Sequence, residues 1–170
     1  MEVGSLRERI IVALMIYQFE EKNVVTEIPI TEPEVDVIVF DESISIKTIT
    51  GTSFSGVKLI WTVDADSAMN FRNSYRPSCD MIFAQINWNN GGGLFYIPKE
   101  VQTEVFDKLG KEDYIKLPKV GTNPRGAEMS SVALKELVQH NKTYVIPINW
   151  KKENISFNAF DRWVELWQQD

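Results

Sequence analysis

The sequence has 170 residues and a formal net charge of -6, with 44% hydrophobic and 25% charged residues. These are ordinary values for a globular protein, and the length fits one domain with a substantial core. The longest apolar run, residues 10–19, is too short to span a bilayer, so no membrane partner is expected. The acidic balance argues mildly against nucleic acid, although local basic loops can still bind a phosphate backbone.

Cysteine and histidine are scarce, and this excludes several kinds of site. Cys79 is the only cysteine and His140 the only histidine. An internal disulfide and a Cys/His zinc cluster are therefore excluded, as are most Ser-His hydrolase mechanisms. A cytoplasmic location is the default expectation.

The first predicted elements are a helix and a short strand. Ser5 is a candidate N-cap with Glu8 three residues later, which is a capping-box pattern. Residues 24–30 predict a strand that Pro29 keeps short or at a sheet edge.

Residues 34–50 form the most informative stretch, because two apolar-rich runs flank a polar cluster at 41–43. This pattern predicts a tight β-hairpin. Ser45 and Lys47 share one face of its second strand, and we expect Asp36, early in the first strand, to lie roughly opposite Lys47. Charge on a sheet face is costly unless it is paired or used. The hairpin therefore predicts a polar site.

The rest of the chain alternates between helical and extended patterns. In chain order we predict an extended segment at 58–63, a helix at 64–75, a strand at 81–86, a turn at 89–93, a strand at 94–97, a helix at 98–110, an irregular basic segment at 114–125, a helix from 130 or 131 to about 140, a strand at 142–150 and a short aromatic segment at 160–167. This order predicts an α/β or α+β fold with a mixed β-sheet flanked by helices.

The order helix, strand, hairpin, helix, strand resembles the core of the PD-(D/E)XK nuclease superfamily and, within it, the type II restriction endonucleases. In that family a catalytic Asp begins the second strand, and the third strand carries an acid, any residue and a Lys. Asp36 matches the Asp, and Ser45-Ile46-Lys47 stands at the position of the second motif. Glu8 matches a Glu that many members place near the metal.

The resemblance covers roughly residues 4–88 and implies a restriction-endonuclease-like core. It implies a single endonuclease domain, with a catalytic core at about 4–97 and DNA-recognition and dimer elements at about 98–170. The implied activity is Mg²⁺-dependent hydrolysis of double-stranded DNA by a homodimer, with Mn²⁺ as an expected substitute for Mg²⁺.

Ser45 departs from the family pattern because it stands where an acid belongs. Some restriction enzymes with Ser here supply the missing carboxylate from the following helix, which in this chain begins at Asp64-Ala65-Asp66. The resemblance implies that Lys47 orients or deprotonates the attacking water. The expected metal ligands are the side chains of Asp36, Glu8, Asp64 and Asp66 and the carbonyl of Ile46.

DNA contacts are expected from hydroxyl, amide and basic side chains in loops and at strand starts. The candidates are Thr52, Ser53, Lys58, Lys116, Lys119, Asn123 and Arg125.

Other interpretations of the same residues stay open. Asp36 and Lys47 also fit a cross-strand ion pair on an exposed face, and Asp64 and Asp66 fit a helix cap and first-turn charge. At the level of function, the alternatives are a non-enzymatic acidic binding protein, such as an immunity protein or a DNA-mimicking inhibitor, and a repair or junction nuclease.

Overall fold

A mixed six-stranded sheet is the frame of the protein in the computed structural model, which describes residues 3–29, 34–118, 126–152, 158 and 160–169. Its strands are β1 (Val24–Val25), β2 (Val37–Val39), β3 (Glu42–Thr50), β5 (Asp80–Ile86), β6 (Asn90–Ile97) and β9 (Tyr144–Trp150). The strand order is β1-β2-β3-β5-β6-β9. The central pair β3 and β5 is parallel, and the other neighbouring pairs are antiparallel.

A smaller sheet accompanies the main one. It consists of β4 (Val57–Ile60), β7 (Ile115–Lys116) and β8 (Ala127–Met129), with β8 in the middle and antiparallel to both neighbours.

Helices flank the strands, as the predicted α/β or α+β class requires. They are α1 (Val3–Phe19), α2 (Ala65–Ser74), α3 (Lys99–Leu109), α4 (Lys111–Tyr114), α5 (Ser131–Gln139) and α6 (Asp161–Gln168), with a short 3-10 helix at Glu21–Asn23. The fold class predicted from the sequence is confirmed. Among the described residues, no helix is long and apolar enough to cross a membrane.

The core lies in two clusters, one on each face of the main sheet, because side chains alternate along every strand. Ile46 and Val37 pack with Ile11 and Met15 of α1. Ile49, on the opposite face of β3, belongs to the larger cluster. That cluster also contains Phe83, Val105 and Leu134, among others. The central strand β3 is thus covered on both faces.

Most predicted elements after residue 60 are confirmed. These are the helix at 64–75, the strand at 81–86, the helices at 98–110 and 130–140 and the strand at 142–150. Two details near the N-terminus were wrong. Helix α1 already begins at Val3, so Ser5 is not its N-cap. Within the described part of the strand predicted at 24–30, residues 24–29, a ladder forms only at Val24–Val25.

The hairpin is confirmed, but its turn is earlier than predicted. The turn residues are Phe40 and Asp41, not 41–43, and both have positive φ angles, of 49° and 68°. Consecutive left-handed residues suit a tight hairpin whose strands twist together. The register pairs Val37 with Ile44. When this register is continued by one residue, Asp36 lies beside Ser45. The turn predicted at 41–43 would instead have placed Asp36 opposite Lys47.

The glycine-rich turn predicted at 89–93 was also misplaced. The chain turns before β6, at Asn89 with φ of 61°, and Gly91, Gly92 and Gly93 lie inside β6. A Cβ on Gly92 would stand 2.3 Å from the carbonyl oxygen of Gln85 and 2.8 Å from Nε1 of Trp150. Gly92 is therefore needed because a side chain would not fit there, whereas the sequence pattern had indicated a turn at this position.

This packing predicts that Gly92→Ala lowers the free energy of unfolding by about 1–3 kcal/mol, because the added methyl overpacks the strand. The measurement is urea denaturation. Gly91→Ala is the matched control, since a Cβ there meets only Oδ1 of Asn149 at 4.0 Å. Equal effects of the two substitutions would contradict the packing argument.

Candidate functional site

One carboxylate oxygen of Asp36 gathers three donors from β3. Oδ2 accepts hydrogen bonds from the backbone N–H of Ile46 at 2.6 Å, from Oγ of Ser45 at 3.3 Å and from Nζ of Lys47 at 3.3 Å. The sequence predicted that these side chains share a polar site, and the structure brings them together. None of the three bonds uses the other oxygen, Oδ1.

The position of Asp36 follows from the short first strand of the hairpin. Its backbone N–H donates to the carbonyl of Ile44 at 3.0 Å, but strand β2 itself begins only at Val37. Beyond this point the β2-facing edge of β3 has no further β2 residue to bond. The Asp36 carboxylate accepts the N–H of Ile46 there. A buried N–H is costly to leave unsatisfied, so this bond has a structural reason of its own.

The ion pair between Asp36 and Lys47 is partly withdrawn from water. The side chain of Lys47 is 11% exposed and that of Asp36 is 30% exposed. Ser45, beside them, is fully buried. Burying a charge is costly unless it is paired, so the two groups depend on each other. This geometry differs from the solvated surface pair that was the open alternative.

A second carboxylate, that of Glu34, is also held by several donors, and it was not among the site residues predicted from the sequence. Oε1 of Glu34 accepts from the hydroxyl of Tyr75 at 2.7 Å. Oε2 accepts from the backbone N–H of Ser78 at 3.0 Å and from the Ser78 hydroxyl. The only signal in the sequence was that Glu34 is an acid two residues before Asp36. The hydrogen-bond partners of Glu34 are more than 40 positions away in the chain.

Glu34 also lines a pocket of about 690 Å³. The pocket wall combines aromatic and polar side chains, among them Tyr75, Trp61, Arg76 and Ser78. It is formed by the segment before β2, the end of β4 and the C-terminal end of α2.

The pKa of the Cys79 thiol depends on the charges around it. Burial raises the pKa of its thiol, the negative charge of Glu34 adds to that effect, and the value is about 11. Asp36 also raises the thiol pKa, whereas Lys47 lowers it. All three charges thus act electrostatically on the same buried sulfur.

The other predicted metal ligands lie on helix α1 and at the start of helix α2. Glu8 lies half-buried on α1. Asp64 is the N-cap of α2, and its carboxylate accepts from the N–H of Ser67 at 2.8 Å and from the Ser67 hydroxyl at 2.5 Å. These hydrogen bonds lower the pKa of Asp64. Asp66 is exposed in the first turn of α2. In the parts of the chain that the structure describes, no group of three or more His, Cys, Asp or Glu side chains is arranged to hold a metal.

The predicted DNA-contacting residues are spread over several elements. Thr52 and Ser53 are exposed in the loop after β3, where the side-chain amide of Gln85 donates to the carbonyl of Thr52 at 3.3 Å. Nζ of Lys58 on β4 is 3.7 Å from the ring centroid of Trp61. Lys116 is exposed on β7. The remaining three, Lys119, Asn123 and Arg125, lie outside the described residues.

Comparison with known proteins gave two matches. A family model for the restriction endonuclease ThaI matches residues 1–169. A solved structure of a restriction endonuclease in complex with substrate DNA is 58% identical in sequence, with a TM-score of 0.89 over 100% of this chain and 82% of that chain. The comparison with curated proteins found no match.

The raised pKa of Cys79 predicts slow reaction of the folded protein with a thiol reagent at pH 8, because the thiolate is the nucleophile. Between the ordinary value of 9.0 and about 11 the unfolded chain releases this proton and the folded chain keeps it. The thiol's contribution to stability is therefore present below pH 9 and lost as the pH rises toward 11. Labelling kinetics from pH 7 to 11, with the urea-unfolded chain as control, measure the effect. Equally fast labelling of folded and unfolded protein at pH 8 would contradict it.

Proposed function

This chain belongs to the restriction endonuclease ThaI family, and we propose that it is a type II enzyme that hydrolyses double-stranded DNA at a short specific sequence. The observation that carries this proposal is the Asp36 carboxylate held against Lys47 by donors from β3. The DNA-bound restriction endonuclease that is 58% identical to this chain supports the choice of substrate. Family membership also favours this activity over an immunity protein, an inhibitor or a repair nuclease.

The arrangement of elements supports assignment to the PD-(D/E)XK superfamily with a Ser-X-Lys variant motif. Helix α1, the hairpin β2–β3, helix α2 and strand β5 follow one another in the family's order. Asp36 stands directly before β2, and Ser45-Ile46-Lys47 lies within β3. The parallel pairing of β3 with β5 fits the same scheme.

The donor set fits Mg²⁺, with Mn²⁺ as an expected substitute. Hard oxygen ligands suit both ions, and Mg²⁺ keeps several waters, so few protein ligands are needed. Oδ1 of Asp36 is not used by the three hydrogen bonds described above. Because the N–H of Ile46 points to the β2 side of β3, its carbonyl points to that side as well. Asp36 and the carbonyl of Ile46 are the proposed central ligands, and Glu8, Asp64 and Asp66 are candidates for a further carboxylate.

When bound, the metal ion would supply charge neutralisation for the scissile phosphate and acidify the attacking water. The chain's own contribution is positional and electrostatic. As an ammonium, Lys47 orients the attacking water and balances phosphate charge; alternatively, a neutral Lys47 amine takes the proton of the water and becomes that ammonium. The Ser45 hydroxyl donates to Asp36 and keeps the carboxylate aligned with Lys47. It cannot replace the charge of an acid, which is why a carboxylate from elsewhere is part of the proposal.

Recognition and assembly complete the proposal. The loop residues Thr52 and Ser53, with Lys58 and Lys116, are proposed to contact the DNA backbone, and the segment containing Lys119, Asn123 and Arg125 is proposed to read bases. A palindromic site would be cut by a symmetric homodimer. The cytoplasm is the proposed site of action.

The first test is cleavage of plasmid DNA with Mg²⁺, with the ends mapped by sequencing. Asp36→Ala and Lys47→Ala should each reduce cleavage by about a hundred-fold or more, because each removes a group acting at the reacting atoms. Chelation of the metal should also abolish cleavage, and added Mn²⁺ should restore it.

The matched control is Lys22→Ala, which breaks the exposed ion pair of Lys22 with Glu20. It should cleave at the wild-type rate, and circular dichroism should show all variants folded. Full cleavage by either site variant would refute the assignment. Preference for branched or damaged duplexes over any short sequence would indicate a repair nuclease instead.

A second series identifies the additional acid. Asp64→Asn, Asp66→Asn and Glu8→Gln are compared, and Asn at position 64 still serves as a helix cap. The variant that lacks a metal ligand should need several-fold more Mg²⁺ for half-maximal cleavage, because one charged ligand is lost. An unchanged Mg²⁺ requirement in all three would exclude every candidate named here.

A further inference from the structure

Glu34 connects parts of the chain that lie on opposite sides of β3. It precedes β2, whereas its partners Tyr75 and Ser78 lie between the end of α2 and the start of β5. Strands β2 and β5 are the two neighbours of β3 in the sheet. Three hydrogen bonds to one carboxylate therefore tie the two flanks of the strand that carries Ser45 and Lys47.

The segment that contains Asp36 needs such an attachment. Strand β2 is only three residues long, and among the described residues the backbone bond from Asp36 to Ile44 is the last one to β3 on the N-terminal side of β2. Asp36 comes two positions after Glu34, so their Cα atoms are at most about 7 Å apart. Fixing Glu34 therefore restricts where the Asp36 carboxylate can go.

We infer that Glu34 is a positioning residue for the proposed nuclease reaction, acting by holding Asp36 at the edge of β3. This inference rests on the proposed function, since it takes Asp36 to be the residue at the reacting centre. Glu34 itself has both oxygens engaged, Oε1 by Tyr75 and Oε2 by Ser78. Its role differs from that of Asp36, whose Oδ1 is not used by the donors of β3.

The surroundings make the three bonds strong. Tyr75 is buried and its ring contacts those of Phe71, Phe106 and Tyr114, so the hydroxyl that reaches Glu34 is held in place. Hydrogen bonds to a charged acceptor contribute more than those between neutral groups. Burial, Tyr114 and the Glu34 charge raise the pKa of Tyr75 well above its ordinary value, which is itself above neutral, so the phenol is a donor at neutral pH.

The test is Glu34→Gln in the full-length protein, with single-turnover cleavage of a duplex that carries the mapped site. The amide keeps the size of the side chain but has no charge and places an NH2 donor at one of the two oxygen positions, so the acceptor for either Tyr75 or Ser78 is lost. We expect the rate constant to fall about ten- to a hundred-fold, because a displacement of about 1 Å is enough for such losses. We also expect a higher Mg²⁺ concentration at half-maximal rate and an unchanged dissociation constant for the duplex without divalent ions.

Glu21→Gln is the matched control, because Glu21 is exposed in the short 3-10 helix after α1. It removes the same charge and should leave the rate and the Mg²⁺ requirement unchanged. A purely structural role for Glu34 would lower the denaturation midpoint of Glu34→Gln while its rate per folded molecule and its Mg²⁺ requirement stay at wild-type values. That result would overturn the inference.

Tyr75→Phe and Ser78→Ala test the same inference independently if Glu34→Gln does not fold. Each removes one hydroxyl and should shift the rate and the Mg²⁺ requirement in the same direction by a smaller factor. Wild-type values in both would overturn the inference. Failure of the proposed function is distinguishable, because in that case the unaltered protein does not cleave, or Asp36→Ala cleaves at full rate, whatever happens at position 34.

Discussion

The hydrogen bond between the Ile46 N–H and the Asp36 carboxylate, 2.6 Å long, is the interaction on which the site depends. It is formed where β2 has ended and β3 continues, so a side chain takes the place of a neighbouring strand. The same carboxylate oxygen then receives the ammonium of Lys47 and the hydroxyl of Ser45. A requirement of the sheet, that no buried N–H be left unpaired, thereby fixes a charged group at the strand edge.

The parallel pair β3 and β5 gives this arrangement its support. Both faces of β3 are covered, with Ile46 in the cluster beneath α1 and Ile49 in the larger cluster. A strand buried in this way cannot shift its register without exposing one set of side chains. Ser45 and Lys47 are therefore held at defined positions, whereas Asp36, which precedes the three-residue strand β2, is less constrained.

Glu34, through its hydrogen bonds to Tyr75 and Ser78, is proposed to hold Asp36 in place. It joins the segment before β2 to the region between α2 and β5, and it lines the pocket of about 690 Å³ beside the site. Glu34, Asp36 and Lys47 all influence the pKa of Cys79, so the positioning group and the proposed reacting groups share one partly buried electrostatic environment. In such an environment charges act more strongly than they do at a solvated surface.

The sequence by itself determined the periodic and local features of this protein. Alternation in residues 34–50 predicted the hairpin and the shared face of Ser45 and Lys47, and the Asp64 cap with its helix followed from local chemistry. The resemblance on Asp36 and Ser45-Ile46-Lys47 led to the restriction endonucleases, and the family match agrees with it. These features depend on neighbours within a few residues, which a sequence displays directly.

Only the tertiary structure decided the features that depend on distant contacts. The turn at Phe40–Asp41 set Asp36 beside Ser45, two residues before the expected partner Lys47, and Gly92 proved to make room for Trp150. The partners of Glu34 come from more than 40 positions away, and no periodic pattern marks them. A turn's backbone angles, a methyl-sized space and a long-range hydrogen bond arise from packing between elements, and packing is a property of the folded chain as a whole.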